Sequence, residues 1–274
     1  MSVWFEAAWA LTTDKSGTTA AHLHRVLTAN SYPTVWAMLG RFRSLMSQSG
    51  APLGGPGVVV EVDETFLGGP RPGKRGRGSD GKTLVIGAVE VPAGRKGFGR
   101  MRFAVAPNAT SSTLRDFITT NLAAGTTVRT DALNSYPSAL GGYAHERISV
   151  RGSGQPAHEA LPAVHRVFSQ VKRWLDGVYQ GGVQPEHLQE YLDEYVFRFN
   201  RRTSNHRGLL FYRLLERAVT ADPVTYRDLV RIGAPKPTKP EAPTGRSTPG
   251  TLDVEHAGLS RVKLLAGFGS REKG

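Results

Sequence analysis

Three acids crowd one run of nine residues, Val58-Val-Val-Glu-Val-Asp-Glu-Thr-Phe66, where Glu61, Asp63 and Glu64 interrupt an otherwise apolar, β-branched pattern. Strand alternation sets Glu61 and Asp63 on one face and Glu64 on the other. A carboxylate among valines loses several kcal/mol of hydration unless a metal, a base or an exposed sheet edge relieves it. The competing reading is a solvated strand face with ordinary ion pairs. Asp131 weighs against that reading. It ends a second β-patterned run, TTVRTD, 131−63 = 68 positions later, where side chains of an open α/β sheet point into the ligand crevice. Two carboxylates on adjacent strands repel unless a divalent cation lies between them, so the chemistry is metal-assisted. His165, in LPAVHRVFSQVKRW, offers a third ligand from a helix 165−131 = 34 positions after Asp131. Lys172 follows it by 172−165 = 7 positions, two turns on along the same helix face. With zero Cys the donors are oxygen and nitrogen, and disulfides and thiolate sites are excluded.

The elements that must position these groups follow from periodicity. Between residues 3 and 47, apolar side chains recur at three- and four-residue steps (Trp4, Ala7, Ala8, Leu11; Leu23, Val26, Leu27; Val35, Met38, Leu39, Phe42), with breaks at Gly17 and at Ser31-Tyr32-Pro33. This predicts helices. Residues 18 to 45 have the layout of a helix-turn-helix, with Thr19 as a cap and Arg41 and Arg43 on the second helix; plain helix packing gives the same pattern. From Val58 the period changes to two. Runs at 58 to 66, 83 to 91 and 100 to 106 predict an antiparallel meander. Next come a helix over 111 to 122 capped by Thr110 or Ser111, the strand ending on Asp131, and a turn or short helix at Tyr136-Pro137. A strand near 147 to 150 and a helix from Leu161 to about Leu175 follow. The order β-β-β-α-β-(α)-β-α predicts an α/β fold: an RNase H-like mixed sheet of five strands flanked by helices, behind a small helical N-terminal domain. Further helices are expected over 185 to 202 and 209 to 219. The expected units are residues 1 to 50, helical and DNA-binding; 57 to 221, the α/β domain with its C-terminal helices; and 222 to 274, a flexible Pro/Gly-rich tail.

Lys and Arg number 35 against 23 acids, a net charge of +12 that suits a phosphate-rich partner, nucleic acid first. Arg71, Lys74, Arg75 and Arg77 sit on a Gly-rich hairpin tip, where they would touch phosphate backbone or simply be solvated. Arg198, Arg201 and Arg202 would extend that track, with Lys172 and Arg173, or else stabilise a helix C-terminus. Trp174 and Phe199 read as core anchors. No apolar run approaches the roughly 20 residues that span a bilayer, and MSVWFEAAWALTT carries Glu6 and no basic n-region, unlike a secretory signal. A cytoplasmic, nucleoid-associated protein is expected.

Taken in order, VDETFLGG, a basic Gly-rich hairpin, TDALNSYP, LPAVHRVFSQVKRWLDGVYQGGV and LDEYVFRFNRR resemble bacterial insertion-sequence transposases of the DDE superfamily, over about residues 1 to 205. The resemblance implies that Asp63 and Asp131 are the two catalytic aspartates, that His165 stands where the superfamily usually has Glu, and that Lys172 is the basic residue seven positions on. Glu159 is the nearest other carboxylate, but it precedes the helix and lacks the Lys spacing. Members of this branch often begin with a cysteine zinc ribbon, for which this sequence has no ligands. The resemblance further implies two Mg2+ or Mn2+ ions on Asp63, Asp131 and His165, double-stranded DNA with terminal inverted repeats and target DNA as partners, a homo-oligomer on DNA, and cleavage followed by strand transfer. Two other readings stand beside it: an RNase H-like nuclease that cuts without joining, and a transposase-derived protein that binds DNA without catalysis.

Overall fold

Alternation along the first strand, β1 (Val59–Leu67), sets the layers of the molecule. The computed structural model describes residues 2–28, 31–68, 82–94, 97–148, 160–204, 206 and 208–230. β1 lies at the centre of a five-stranded sheet with β2 (Thr83–Val91), β3 (Met101–Ala106), β4 (Thr127–Thr130) and β5 (Ala144–Arg147), in the order β3-β2-β1-β4-β5. β1, β2 and β3 pair antiparallel as a meander, whereas β4 and β5 run parallel to β1. The β3-to-β4 crossover is made by α4 (Ser111–Asn121), whose first turn is capped by Thr110 accepting from Thr113 N. This is the mixed RNase H-like arrangement that the element order predicts.

Val60 and Val62 face a core with Ile86, Leu114, Phe117, Ile118 and Tyr136, the last from α5 (Tyr136–Ala139). On the other face Leu67, Val85, Val89 and Phe103 pack against α6 (Pro162–Tyr179) and α7 (Leu188–Phe199). Helix α6 seats tightly because β2 has Gly87 beneath it: a Cβ there would stand 2.6 Å from Phe168 and 2.7 Å from Phe103. Those two rings stack with centroids 5.7 Å apart. Gly87 is also the register partner of Asp63, so the glycine that admits α6 lies beside the candidate metal ligand.

The edge strand β3 is covered by side-chain amides. Asn200 bonds both N and O of Met101, Gln48 both N and O of Phe103, and Gln189 accepts from Val105 N while its Nε2 reaches Phe103 O. These groups occupy the backbone that would otherwise template a further strand.

A third core joins α1 (Ser2–Thr13), α2 (Ala20–Val26) and α3 (Tyr32–Leu45) to the C-terminal helices: Leu11, Leu23, Leu39 and Phe42 pack with Phe197 of α7 and Leu214 of α8 (Gly208–Thr220). Thr19 caps α2 by accepting from His22 N. Within α3 only Tyr32, Pro33 and Thr34 are exposed, so beyond its first turn the helix has no free face to lay into a groove. A short α9 (Tyr226–Val230) falls within the stretch read from composition as tail; its buried Leu229 fills the space over Gly40. Some boundaries differ from expectation. The fifth strand lies at Ala144–Arg147 rather than 147 to 150, and the helix expected from Pro185 opens as a 3-10 turn, Pro185–His187, before α7.

Candidate active site

The parallel register between β1 and β4 places the two aspartates. Val59 pairs with Thr127 and Glu61 with Arg129, an offset of 127−59 = 68. Asp63 and Asp131 differ by the same 68, so extending that register puts Asp131, the first residue past β4, opposite Asp63 in the middle of β1. Asp131 Oδ1 accepts from Leu133 N at 2.9 Å, which curls the chain into the loop before α5. Arg147 of β5 pins that loop by donating to Ala132 O and Asn134 Oδ1.

His165 completes the approach from α6, with Nε2 3.5 Å from Asp63 Oδ2. Further along, Lys172 Nζ donates to Thr65 Oγ1 at 2.7 Å. Helix and strand therefore advance together: residues 61, 63 and 65 of β1 meet residues 163–164, 165 and 172 of α6. Four strand residues span about 13 Å and nine helical residues about 13.5 Å, which is why both meetings fit one straight helix. Among the described residues, however, no group of three or more His, Asp or Glu stands close enough to hold one metal ion as placed. Asp63 and His165 come together, while Asp131 lies alongside with its carboxylate engaged by its own loop.

Electrostatics single out Asp63. Burial pushes its carboxyl up to about 7, helped by the charges of Glu64, Asp131 and Glu61, with the Glu64 backbone N–H opposing. The carboxylate oxygens and imidazole nitrogen gathered here are donors of the kind a divalent ion takes. Burial, then the neighbouring Lys82, lowers the Lys172 ammonium, against the pull of Asp176 and Asp63. Beyond Lys172 a cavity of about 510 Å3 opens among Phe66, Lys82, Asp176, Gln180 and Gln184; it shares Lys172 with the site but none of the three candidate ligands.

Sequence reasoning passed over the groups that hold this site. Glu64 accepts from the fully buried Tyr136 hydroxyl at 2.6 Å, tying the Asp131 loop to β1. The signal was there: alternation puts Glu64 on the Val60–Val62 face, where an acid needs a buried donor. Glu61 is fully buried, accepting from Ala163 N and Val164 N at the start of α6.

An α/β core with strand order 3-2-1-4-5 and carboxylates in the middle of β1 and just past β4 belongs to the RNase H-like class. Within that class the chain belongs to the ISXO2-like transposase domain family, whose pattern it matches over residues 52–200. No protein of curated function matches it in sequence. Among solved structures it is similar to a chain of the simian T-cell lymphotropic virus intasome in complex with PP2A regulatory subunit B56 gamma, at 14% identity over 86% of this chain and 76% of that one, TM-score 0.28. It is also similar to a chain of a pre-cleavage Mos1 transpososome, at 12% identity over 78% and 77%, TM-score 0.32. Both likenesses are too slight to bear on the site.

The basic residues divide. Lys172 and Arg173 are exposed. Arg71, Lys74, Arg75 and Arg77 lie outside the described residues, as does Glu159. Arg43 is corrected from DNA ligand to core residue: it is 3% exposed, its Nε donates to Glu194 at 2.8 Å, and its guanidinium lies 4.0 Å over the Tyr191 ring. Arg41 donates to Val224 O. Arg198 donates to Leu11 O and Asp14 O and so fastens α1 to α7. Arg201 and Arg202 donate to Phe197 O and Phe199 O and lie over those rings, which is the helix-terminus alternative rather than a phosphate track. Trp174 packs on Tyr179 and Tyr195, as a core anchor should. No helix among the described residues is long and apolar enough to cross a membrane.

Proposed function

We propose that this chain is a DNA transposase that cleaves and joins strands at a divalent-cation site formed by Asp63, Asp131 and His165. The observation that carries the reading is the shared offset of 68 that sets Asp131 beside Asp63, with His165 Nε2 3.5 Å from Asp63. Two Mg2+ or Mn2+ ions, when bound, would activate a water or 3′ hydroxyl and stabilise the departing 3′ oxygen in an in-line displacement at phosphorus. The protein's part is to supply and aim donors. Asp63, as the ionised carboxylate, and Asp131 would hold the ions together with His165. Lys172, held by Thr65 about 6.6 Å along β1 from Asp63, meets a neighbouring phosphate as a point charge. Past it, the cavity continues the path of the strand. DNA carrying the terminal inverted repeats and target DNA are the substrates, taken by more than one copy of the chain.

The test is a duplex oligonucleotide carrying the gene's own flanking ends, incubated with either metal. Nicked and joined products are expected. Nicks without joining would favour a nuclease, and binding without cutting would favour a DNA-binding protein. Imidazole is a softer donor than carboxylate and favours Mn2+ over Mg2+. His165→Glu is therefore expected to raise the Mg2+/Mn2+ activity ratio by about tenfold; an unchanged ratio would remove His165 from the ligand set.

A further inference from the structure

Glu61 reaches all three elements that carry the candidate ligands, and reaches each just ahead of its ligand. On β1 it precedes Asp63 by two residues, on the same face. Its Oε2 accepts from Ala163 N at 2.8 Å and Val164 N at 3.0 Å, the two residues directly before His165. Its Oε1 lies 3.7 Å from Nη1 of Arg129, which precedes Asp131 by two residues on β4. Arg129 in turn donates to Glu146 of β5 at 2.9 Å, so the arm from Glu61 crosses three neighbouring strands.

We propose that Glu61 is a positioning residue of the metal site, locking β1, β4 and α6 in the one alignment that lets Asp63, Asp131 and His165 share a cation. The inference rests on the metal-site reading above. Two observations separate it from simple packing. The first turn of α6 receives no side-chain cap of its own, because Leu161 stands at its N-cap position; Glu61 supplies the acceptor from another element. And a fully buried carboxylate is an expensive way to fill space. Its remaining oxygen, Oε1, has no hydrogen-bond partner, and an apolar side chain of similar size would pack among these strands at lower cost. What the carboxylate provides, and an apolar residue does not, is a hydrogen-bonded link from one strand to a helix terminus together with a charge that faces Arg129 of the next strand. Outer partners of this kind set the orientation of metal ligands.

The experiment is calorimetric titration of the full chain with Mn2+ alone, paired with thermal melts, for the wild type, Glu61→Gln, Glu61→Met and Arg129→Met. Glu61→Gln keeps an acceptor for the α6 N–H groups but loses the charge facing Arg129; Glu61→Met loses both; Arg129→Met cuts only the β4 arm. Mn2+ affinity, measured below each variant's melting temperature, is expected to fall about tenfold for Glu61→Gln and Arg129→Met and about 100-fold for Glu61→Met, and Arg129→Met is expected to melt lower than the wild type because the buried Glu61 carboxylate loses its counter-charge. If the Glu61 variants do not fold, Arg129→Met alone decides. Folded variants that bind Mn2+ as tightly as the wild type would overturn the positioning role and leave the metal site standing. A wild type that does not bind Mn2+ would overturn the metal site itself, and this inference with it.

Discussion

Asp63→Asn is expected to abolish DNA cleavage and, in the same protein, to raise stability at alkaline pH. The activity loss follows from removing the ligand nearest both partners: several kcal/mol of charge stabilisation vanish, a drop on the order of 10^3-fold or more. The stability gain follows from linkage. In the unfolded chain the carboxyl ionises near its ordinary value of 3.8, whereas in the fold burial, then Glu64, Asp131 and Glu61, hold it protonated up to about 7. Between those values the native state binds the extra proton, so metal-free wild type loses stability as pH rises through that window, by at most about 4 kcal/mol. Asn carries no such slope. Metal-free melts at pH 4 and pH 8 check it: the two proteins should differ little at pH 4, and the Asn variant should melt higher at pH 8. A variant that melts lower at both would mean that Asp63 serves the fold and not a cation.

Arg43→Ala is expected to cost about 3-5 kcal/mol, enough to unfold much of the protein at physiological temperature. Arg43 and Glu194 are 3% and 0% exposed, bonded at 2.8 Å, so truncating the arginine leaves a buried carboxylate with only Arg198, 3.6 Å from its other oxygen, for company. Burial works to lower the Arg43 guanidinium, but Glu194, Tyr191 and Tyr179 together outweigh it and raise it above its ordinary value. Equilibrium urea unfolding measures the loss. A ΔΔG under about 1 kcal/mol, the range of exposed pairs, would show that the pair does not bind α3 to α7.

These two residues mark the boundary of what the sequence makes legible. Asp63 could be found because its surroundings are local: alternation in VVVEVDETF gives the face, and the distance to Asp131 equals the strand register, since each residue added to β1 is matched by one in parallel β4. β2 lies at Thr83–Val91, where the β-branched run puts it, and α4 begins behind Thr110 as its cap requires. Arg43 could not be found this way. Its partner is 194−43 = 151 positions away on α7, and a helix that packs on both sides shows the same three- and four-residue spacing as one that enters a groove. β5 slid toward Ala144 because Ala-His-Glu-Arg has no apolar alternation, its one buried neighbour being β4. Glu61 shows the subtler limit. Sequence grouped it with Asp63 as a second acid on the metal face, but the start of α6 claims it, and nothing within ten positions of residue 61 announces a helix that begins at Pro162.

A Mn2+ anomalous difference map from crystals of the chain soaked or grown with that ion tests the metal site most directly. Peaks are expected bonded to Asp63, with a carboxylate oxygen of Asp131 and the His165 ring nitrogen in the same coordination shell. A map with no peak there, or one whose ion is held elsewhere, would contradict that site.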